Sequence, residues 1–292
     1  MPAVVISPVN RKGGVGKSSS VFHLGGYFAS QGLRVLLIDN EPQHSLTNGL
    51  IGPDGAAALD PSSTTAGLFT PGEAVSPARL IRKTEVKNID LVCGSDALDL
   101  INGPPEEKPL QMQLAIRRFV DVVRQDYDMI LIDNPPNLQL CTYSSLAASN
   151  FTYCISKPQE YDVQGLVPVQ KAIDRVLRTT NPTLRLAGYV LNMVQARRSL
   201  HAAYEDLLRQ TYGNKVFATT IPDWNDFAEA LTARKPISQY KPKSPAAKAI
   251  ESLARELIDR VSELYRRPPE FQFTGKIDRT AAPSHARTEV VA

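Results

Sequence analysis

The chain has 292 residues and 42% of them are hydrophobic, which suits one large or two ordinary domains and is too apolar for a disordered chain. Lysine and arginine (33) outnumber aspartate and glutamate (30) by three, so the average charge does not indicate a nucleic-acid partner, and any basic surface must be local. Three cysteines without a zinc-binding spacing exclude a disulfide scaffold and fit a reducing cytoplasm. No run reaches 18 consecutive apolar residues, so we expect no transmembrane helix. The N-terminus lacks a charged region followed by an apolar run, so we expect no secretory signal.

The first forty residues predict a strand, a glycine-rich loop, a helix and a second strand. The strands are the apolar runs at 3–6 and 34–39, and the helix at 18–31 has its apolar residues on one face. Pro8 cannot donate to a sheet ladder, so we expect the first strand to end before it. This order of elements implies a parallel sheet with a right-handed crossover.

The same patterns continue along the chain. Further strands are predicted at 88–92, 128–133, 151–156, 186–192 and 216–221, and further helices at 110–125, 163–178, 200–211, 226–232 and 244–266. The Gly-, Pro- and Ser-rich segment 51–77 predicts a surface excursion with one short helix. The sequence therefore predicts an α/β fold, a doubly wound and mostly parallel sheet flanked by helices, with one domain over 1–266 and a disordered tail over 267–292.

The strongest functional motif lies between the first strand and the first helix. It reads Lys12-Gly13-Gly14-Val15-Gly16-Lys17-Ser18-Ser19. Glycines let backbone N–H groups point at phosphate oxygens, a lysine reaches the β- and γ-phosphates, and a hydroxyl group binds Mg²⁺. The usual first glycine is replaced by Arg11, and an additional lysine, Lys12, stands at the loop entrance. This spacing predicts a variant phosphate loop.

Two acidic turns follow strands that should end beside this loop. The first reads Asp39-Asn-Glu41-Pro-Gln, and the second, after four apolar residues, reads Asp133-Asn-Pro-Pro-Asn. Acids at the carboxyl ends of parallel strands can orient an attacking water or hold Mg²⁺ through water. The turns therefore predict a nucleotide-hydrolysing site at one edge of the sheet.

Together, these motifs resemble the deviant Walker A P-loop NTPases of the ParA/MinD superfamily, and more closely the ParA partition ATPases. In that family the loop reads KGGxGK[ST], switch I reads DxDPQ, and switch II begins D-x-P-P. The resemblance implies ATP and Mg²⁺ as cofactors, with Lys17 acting in cis and Lys12 reaching the nucleotide of a partner across a dimer interface. It further implies that Ser18, Asp39 and Asp133 serve the metal, and that Asn192 and Pro222 lie on the adenine side.

Position 41 departs from the family. The acid tied to hydrolysis stands 24 residues after the loop lysine and is an aspartate in relatives, whereas here it is Glu41. Glutamate keeps the charge but moves the carboxylate by one methylene. The expected catalytic residues are Lys12, Lys17, Asp39 and Glu41, with slow or differently tuned hydrolysis.

The excess of positive charge lies between residues 190 and 250, a segment with nine basic and five acidic residues. Such charge predicts sequence-independent DNA binding, for which the candidates are Arg197, Arg198, Arg234 and Lys235. An ordinary solvated surface is the alternative. Asp223 and Asp226 stand where partition relatives often carry arginine, which argues against DNA on that side.

The resemblance implies a cytoplasmic, nucleoid-associated positioning ATPase that forms a homodimer with ATP and binds DNA non-specifically. A ParB-like protein or cargo adaptor would activate it, and the cargo would be a plasmid, a chromosome or a protein assembly. One alternative is a MinD-like regulator that cycles on membranes, although four acids (Glu251, Glu256, Asp259 and Glu263) interrupt the polar face of the last helix. Another alternative, an iron–sulfur P-loop dimer, would need a pair of cluster cysteines, and only Cys141 lies near switch II.

Overall fold

The central strands of the sheet are covered on both faces, which explains why their sequences are continuous apolar runs and do not alternate. Every residue of Val35–Asp39, Met129–Asp133 and Phe151–Ser156 is buried. A computed structural model describes residues 2–72, 76–158, 162–195 and 197–266, without the side chains of 162–165. The predicted tail, 267–292, lies outside the described residues.

Eight strands form one sheet within the described residues. They are β1 (Val4–Val9), β2 (Val35–Asp39), β3 (Ile81–Lys83), β4 (Ile89–Val92), β5 (Met129–Asp133), β6 (Phe151–Ser156), β7 (Arg185–Val194) and β8 (Ile221–Pro222). Their order is β3-β4-β2-β5-β1-β6-β7-β8, and each neighbouring pair is parallel except β3–β4 at the edge. The predicted fold class is confirmed.

Helices cover both faces of this sheet. They are α1 (Lys17–Ser30), α2 (Ser45–Ala57), α3 (Pro77–Leu80), α4 (Leu110–Gln113), α5 (Ala115–Val123), α6 (Leu140–Ala148), α7 (Asp162–Thr179), α8 (Ser199–Tyr212), α9 (Asn225–Thr232), α10 (Ile237–Tyr240) and α11 (Pro245–Arg266). One core contains Leu24 of α1 and Leu253 of α11, and a second contains Phe119 of α5. In the part of the chain that the structure describes, none of the helices is both long enough and apolar enough to cross a bilayer.

The first strand is longer than predicted. β1 continues through Pro8, which pairs with Tyr153 of β6, whereas pairing with β5 stops at Ile6. The Pro8 carbonyl accepts a 2.9 Å hydrogen bond from Asn134 Nδ2, which follows β5. The N–H that proline lacks would point to this same side, where the ladder has already ended, so Pro8 removes no strand-to-strand hydrogen bond.

The predicted helix at 110–125 is two helices. The backbone leaves helical geometry at Leu114, and the N–H of Ile116 donates to Ser144 Oγ at 3.2 Å. A hydrogen bond from the neighbouring α6 thus replaces one helical bond. The helix α6 itself was missed, because residues 140–147 are all buried and therefore show no amphipathic pattern.

The predicted strand at 216–221 is wrong over most of its length. Val216 makes a single bridge to Tyr189, and only Ile221 and Pro222 pair with β7. Between them, the N–H groups of Ala218 and Thr219 both donate to the Glu256 carboxylate at 2.8 Å. A helix side chain therefore takes the donors that a strand would have used.

One short helix is predicted within the segment 51–77. The structure has there the second part of α2, which is kinked at Gly52, then two 3₁₀ turns and the first residue of α3.

His23 of α1 is a buried titratable group in the core beside the phosphate loop. Its side chain is 1% exposed, and its Nδ1 accepts the N–H of Ile237 at 3.1 Å. Burial disfavours the charged imidazolium and lowers the pKa of His23 to about 3.

This burial predicts a stability that falls with acid. The unfolded chain binds a proton at His23 below a pKa of about 6.5, whereas the folded chain stays neutral down to about 3, so stability is lost as the pH falls through that window. At pH 5 the loss is about 2 kcal/mol relative to pH 8. Urea unfolding at several pH values should show that His23→Gln flattens the profile by this amount, and parallel profiles for the two proteins would refute the assignment.

Candidate nucleotide site

The loop between β1 and α1 is held by its own polar groups. Lys12 donates its N–H to Asn10 Oδ1 at 2.9 Å, and Asn10 Nδ2 donates to the Ile155 carbonyl at 2.7 Å. Lys17 Nζ donates to the Lys12 carbonyl at 3.2 Å. The Lys17 ammonium group therefore lies against the backbone of its own loop. The N-terminus of α1, with its partial positive charge, begins at the same point, so the lysine and the helix end together favour binding of an anion.

Gly16 is a position in this loop where a larger residue would be both strained and crowded. Its φ of +93° is left-handed, and an added Cβ would overlap with the side-chain amide of Asn192. That amide donates to the Val15 carbonyl at 2.7 Å. The end of β7 thus fixes the phosphate loop, and Asn192, predicted on the adenine side, lies directly against it.

The two acidic strand ends meet as predicted. Asp39 and Asp133 are register partners on neighbouring parallel strands, and both are fully buried. Asp39 Oδ2 accepts the backbone N–H and the hydroxyl of Thr47, each at 2.7 Å, and its Oδ1 accepts the N–H of Glu41 at 3.3 Å. The carboxylate of Asp39 therefore joins the Glu41 turn to the first turn of α2.

Glu41 and Asp133 face the loop residues. Glu41 Oε2 accepts a hydrogen bond from Ser18 Oγ at 3.2 Å. Asp133 Oδ1 accepts the N–H of Asn134, whereas the buried Oδ2 has no hydrogen-bond partner among the described residues. A buried carboxylate oxygen without a donor, close to a hydroxyl and a second carboxylate, is the oxygen-rich donor set that suits Mg²⁺. The residues present therefore fit a magnesium ion.

The electrostatics of the site favour a cation. Burial raises the pKa of Asp133 well above its usual value, and the neighbouring charges of Asp39 and Glu41 raise it further. Burial is also the main cause that raises the pKa of Asp39 and of Glu41, and that lowers the pKa of Lys17. Two of the three buried carboxyl groups, Glu41 and Asp133, thus interact with the buried Lys17, and a bound cation would stabilise the charged forms of all three.

A cavity of about 210 Å³ lies beside the loop. Its walls come from α1, the end of β7, β8 and α9, and it is lined among others by Ser19, Asn192, Met193, Pro222, Trp224 and Phe227. The structure thus brings the predicted Asn192 and Pro222 together next to the loop. Trp224 and Met193 were missed, although Trp224 follows the Ile-Pro turn that located Pro222.

The predicted basic residues lie in two groups on the surface. Arg197 and Arg198 are exposed just before α8, and Arg234 and Lys235 are exposed just after α9. The Arg234 guanidinium lies against Gly52 of α2. The first group follows β7, whose end lines the cavity, and the second follows α9, whose beginning lines it.

The acids that argued against DNA on this surface have partners. Asp226 Oδ1 and Glu229 Oε2 both bind Lys241 Nζ, at 2.6 and 2.7 Å. Asp223 Oδ2 accepts a 2.6 Å hydrogen bond from Gln195 Nε2. Lys241 therefore offsets part of the negative charge of these acids. Because it is already paired with them, it adds less to the positive charge of this surface.

Two asparagines were missed by sequence reasoning. Asn40 Nδ2 donates to the Cys141 carbonyl at 2.8 Å and to Ser145 Oγ at 2.9 Å, and Asn134 Nδ2 donates to the Pro8 carbonyl. Both anchor a strand end to a neighbouring element. The signal was present, because each of the two acids is followed directly by asparagine.

Gly16 and Gly13 provide a matched pair for testing the loop. Alanine at Gly16 would be strained and would overlap with Asn192, so we expect destabilisation on the order of 1–3 kcal/mol and loss of nucleotide binding. At Gly13 an added Cβ comes no closer than 3.8 Å to another atom, so Gly13→Ala should keep the stability of the wild type. Thermal unfolding without nucleotide measures the difference, and equal melting temperatures would contradict this account.

Comparisons with known proteins indicate the family of this chain. The profile of a family described as an AAA domain matches residues 3–186. The chain is 31% identical over 254 residues to the sporulation initiation inhibitor protein Soj of Bacillus subtilis, covering 87% of this chain and 97% of that protein. It is 33% identical over 262 residues to the chromosome-partitioning ATPase Soj of Thermus thermophilus, covering 88% and 96%.

A solved structure shares the fold. The cobyrinic acid a,c-diamide synthase of Mycobacterium smegmatis, with bound ADP and magnesium, has a TM-score of 0.74 at 23% identity, covering 92% of this chain and 99% of that one. The identity to the two Soj proteins, over nearly their whole length, is what decides the family. This chain belongs to the ParA/Soj-type partition ATPases.

Proposed function

We propose that this protein is a Mg²⁺-dependent ATPase that dimerises when it binds ATP, coats DNA without sequence preference and thereby positions a plasmid, a chromosome or another cargo. One observation carries the proposal: Lys17, Ser18, Glu41 and Asp133 meet at one sheet edge, in a chain related to Soj over most of its length. Release from DNA would follow hydrolysis stimulated by a ParB-like protein or a cargo adaptor. The protein would act in the cytoplasm, on the nucleoid.

In this proposal each group has a role set by its position. Lys17 and the N–H groups of the loop bind the β- and γ-phosphates. Ser18 and Asp133 would hold the magnesium ion, which would supply positive charge beside the phosphates. Asp39, with its oxygens bound to Thr47 and to the Glu41 N–H, serves the metal site by fixing the turn that carries Glu41.

The remaining roles concern the attacking water, the base and the partner subunit. Glu41 orients the water that attacks the γ-phosphate, Lys12 reaches the nucleotide of the second subunit, and the cavity that contains Asn192 and Pro222 receives the adenine. The dimer would be two-fold symmetric, and its population would be linked to ATP by mass action.

A membrane-cycling regulator is the second candidate, and the packing of α11 speaks against it. Its apolar residues Ile250, Leu253 and Leu257 are buried in the core with α1. Inserting this face into a bilayer would require α11 to leave the core, at a cost of several buried side chains of about 1.5–3 kcal/mol each. We therefore favour DNA over a membrane as the surface that the ATP-bound protein binds.

The role of Lys12 predicts separate effects on binding and assembly. Lys12→Ala should bind ATP nearly as the wild type does, because Lys17 supplies the cation in cis, but should lose ATP-dependent dimerisation and turnover. Lys17→Ala should lose ATP binding itself. Analytical ultracentrifugation with ATP, ADP and no nucleotide tests this, and one oligomeric state under all three conditions would rule out the ATP-dependent dimer.

The glutamate at position 41 predicts slow hydrolysis with a long-lived ATP dimer. Catalysis by positioning is sensitive to shifts of about 1 Å, which can change a rate on the order of a hundredfold. Glu41→Ala should remove the remaining turnover while keeping the dimer, and Glu41→Asp, at saturating Mg²⁺, should equal or exceed the wild-type rate. Single-turnover ATP hydrolysis by the wild type and the two variants measures this effect. Full activity of Glu41→Ala would exclude Glu41 from the mechanism.

The basic residues predict DNA binding that depends on ATP and falls steeply with salt. The paired substitutions Arg197→Ala with Arg198→Ala, and Arg234→Ala with Lys235→Ala, should weaken binding to all sequences alike and reduce the salt slope by about one for each phosphate that is no longer neutralised. Arg255→Ala is the control, because Arg255 on α11 is bound to Glu251. DNA and liposome co-sedimentation with ATP separate the two candidates, and binding to liposomes alone would overturn the DNA proposal.

A further inference from the structure

The three carboxylates beside the phosphate loop differ in the donors that they already bind. Asp39 is occupied on both oxygens, by Thr47 and by the N–H of Glu41. Asp133 has an open oxygen, but Asp133 is fully buried at the end of β5. Glu41 Oε2 accepts the hydrogen bond of the Ser18 hydroxyl, the group expected to bind the metal.

The spacing of these two oxygens suits two ligands of one ion. Magnesium takes octahedral ligands at about 2.0–2.1 Å, so two neighbouring ligand oxygens lie about 2.9 Å apart. Ser18 Oγ and Glu41 Oε2 are 3.2 Å apart. Only a few tenths of an ångström of adjustment would place both oxygens on the same cation.

The reach to Ser18 depends on the glutamate side chain. An aspartate on the same backbone would end about one carbon–carbon bond, roughly 1.5 Å, short. The backbone cannot easily advance to compensate, because the Glu41 N–H is bound to Asp39 Oδ1 and Asp39 is in turn bound to Thr47 on α2. The departure of this chain from the aspartate of its family is therefore what brings the carboxylate to the hydroxyl.

We propose that Glu41 is a direct ligand of the magnesium ion, through Oε2 and next to Ser18, while its other oxygen stays available for the attacking water. This inference rests on the proposed function, because it concerns the same site. It is favoured by burial: Glu41 is 9% exposed, and a carboxylate so little hydrated gains more from a direct cation contact than one in water. The chain thus adds a third protein group to a set that Ser18 and Asp133 would otherwise form.

The test measures metal affinity and does not rely on turnover. Binding of a fluorescent, non-hydrolysable ATP analogue is followed while Mg²⁺ is varied. Glu41→Asp and Glu41→Gln should raise the Mg²⁺ concentration at half-saturation by about tenfold or more, as loss of a group that supports a metal typically does. Glu251→Gln, which removes an exposed carboxylate on α11, is the control and should leave the value unchanged.

A spectroscopic measurement identifies the ligand. With Mn²⁺ in place of Mg²⁺ and glutamate labelled with ¹³C at the side-chain carboxyl, electron–nuclear double resonance should show a ¹³C coupling in the wild type that is absent in Glu41→Asp. Unchanged Mg²⁺ dependence in both variants, or no coupling in a protein that binds the analogue, would overturn the proposal. A wild type that fails to bind the analogue at any Mg²⁺ concentration would refute the proposed function itself.

Discussion

Buried negative charge at the carboxyl edge of the sheet is the constraint on which the site depends. The register of β2 and β5 places Asp39 beside Asp133, and the turn after β2 adds Glu41. Burial raises the pKa of all three carboxyl groups, with Lys17 buried among them. A site built this way is stabilised by whatever brings a cation to it, so binding of a metal–nucleotide complex is linked to the local stability of the loops.

The loops that carry these charges are fixed by side-chain amides. Four asparagines each donate to a main-chain carbonyl of another segment, at 2.7–2.9 Å: Asn10 to Ile155, Asn40 to Cys141, Asn134 to Pro8 and Asn192 to Val15. Three of these acceptors lie on central strands or on the loop itself. Such bonds hold the loops in place before any ligand binds, which is the preorganisation on which electrostatic catalysis depends. The same network explains how Pro8 is accommodated inside a central strand.

Glu41 shows how one methylene can change the balance of a shared site. The hydrogen bonds between Asp39 and Thr47 fix the turn that carries Glu41, so the additional methylene of Glu41 extends its carboxylate to Ser18. A carboxylate that belongs to the metal set is more firmly held and less free to follow the attacking water. With the roles proposed above, slow hydrolysis and a long-lived ATP state would follow.

Local patterns in the chain were enough to predict the fold class, the phosphate loop and the meeting of Asp39 with Asp133, because parallel strands and glycine-rich turns have recognisable sequences. They did not reveal α6, in which residues 140–147 are all buried, or the break at Leu114, beside which the hydroxyl of Ser144 on α6 accepts the N–H of Ile116. They predicted a strand where Glu256 instead binds the backbone of Ala218 and Thr219. The support of the loop by Asn192 and the reach of Glu41 to Ser18 emerge only from the folded chain, because both contacts join segments far apart in sequence, and no local spacing records the distance between them.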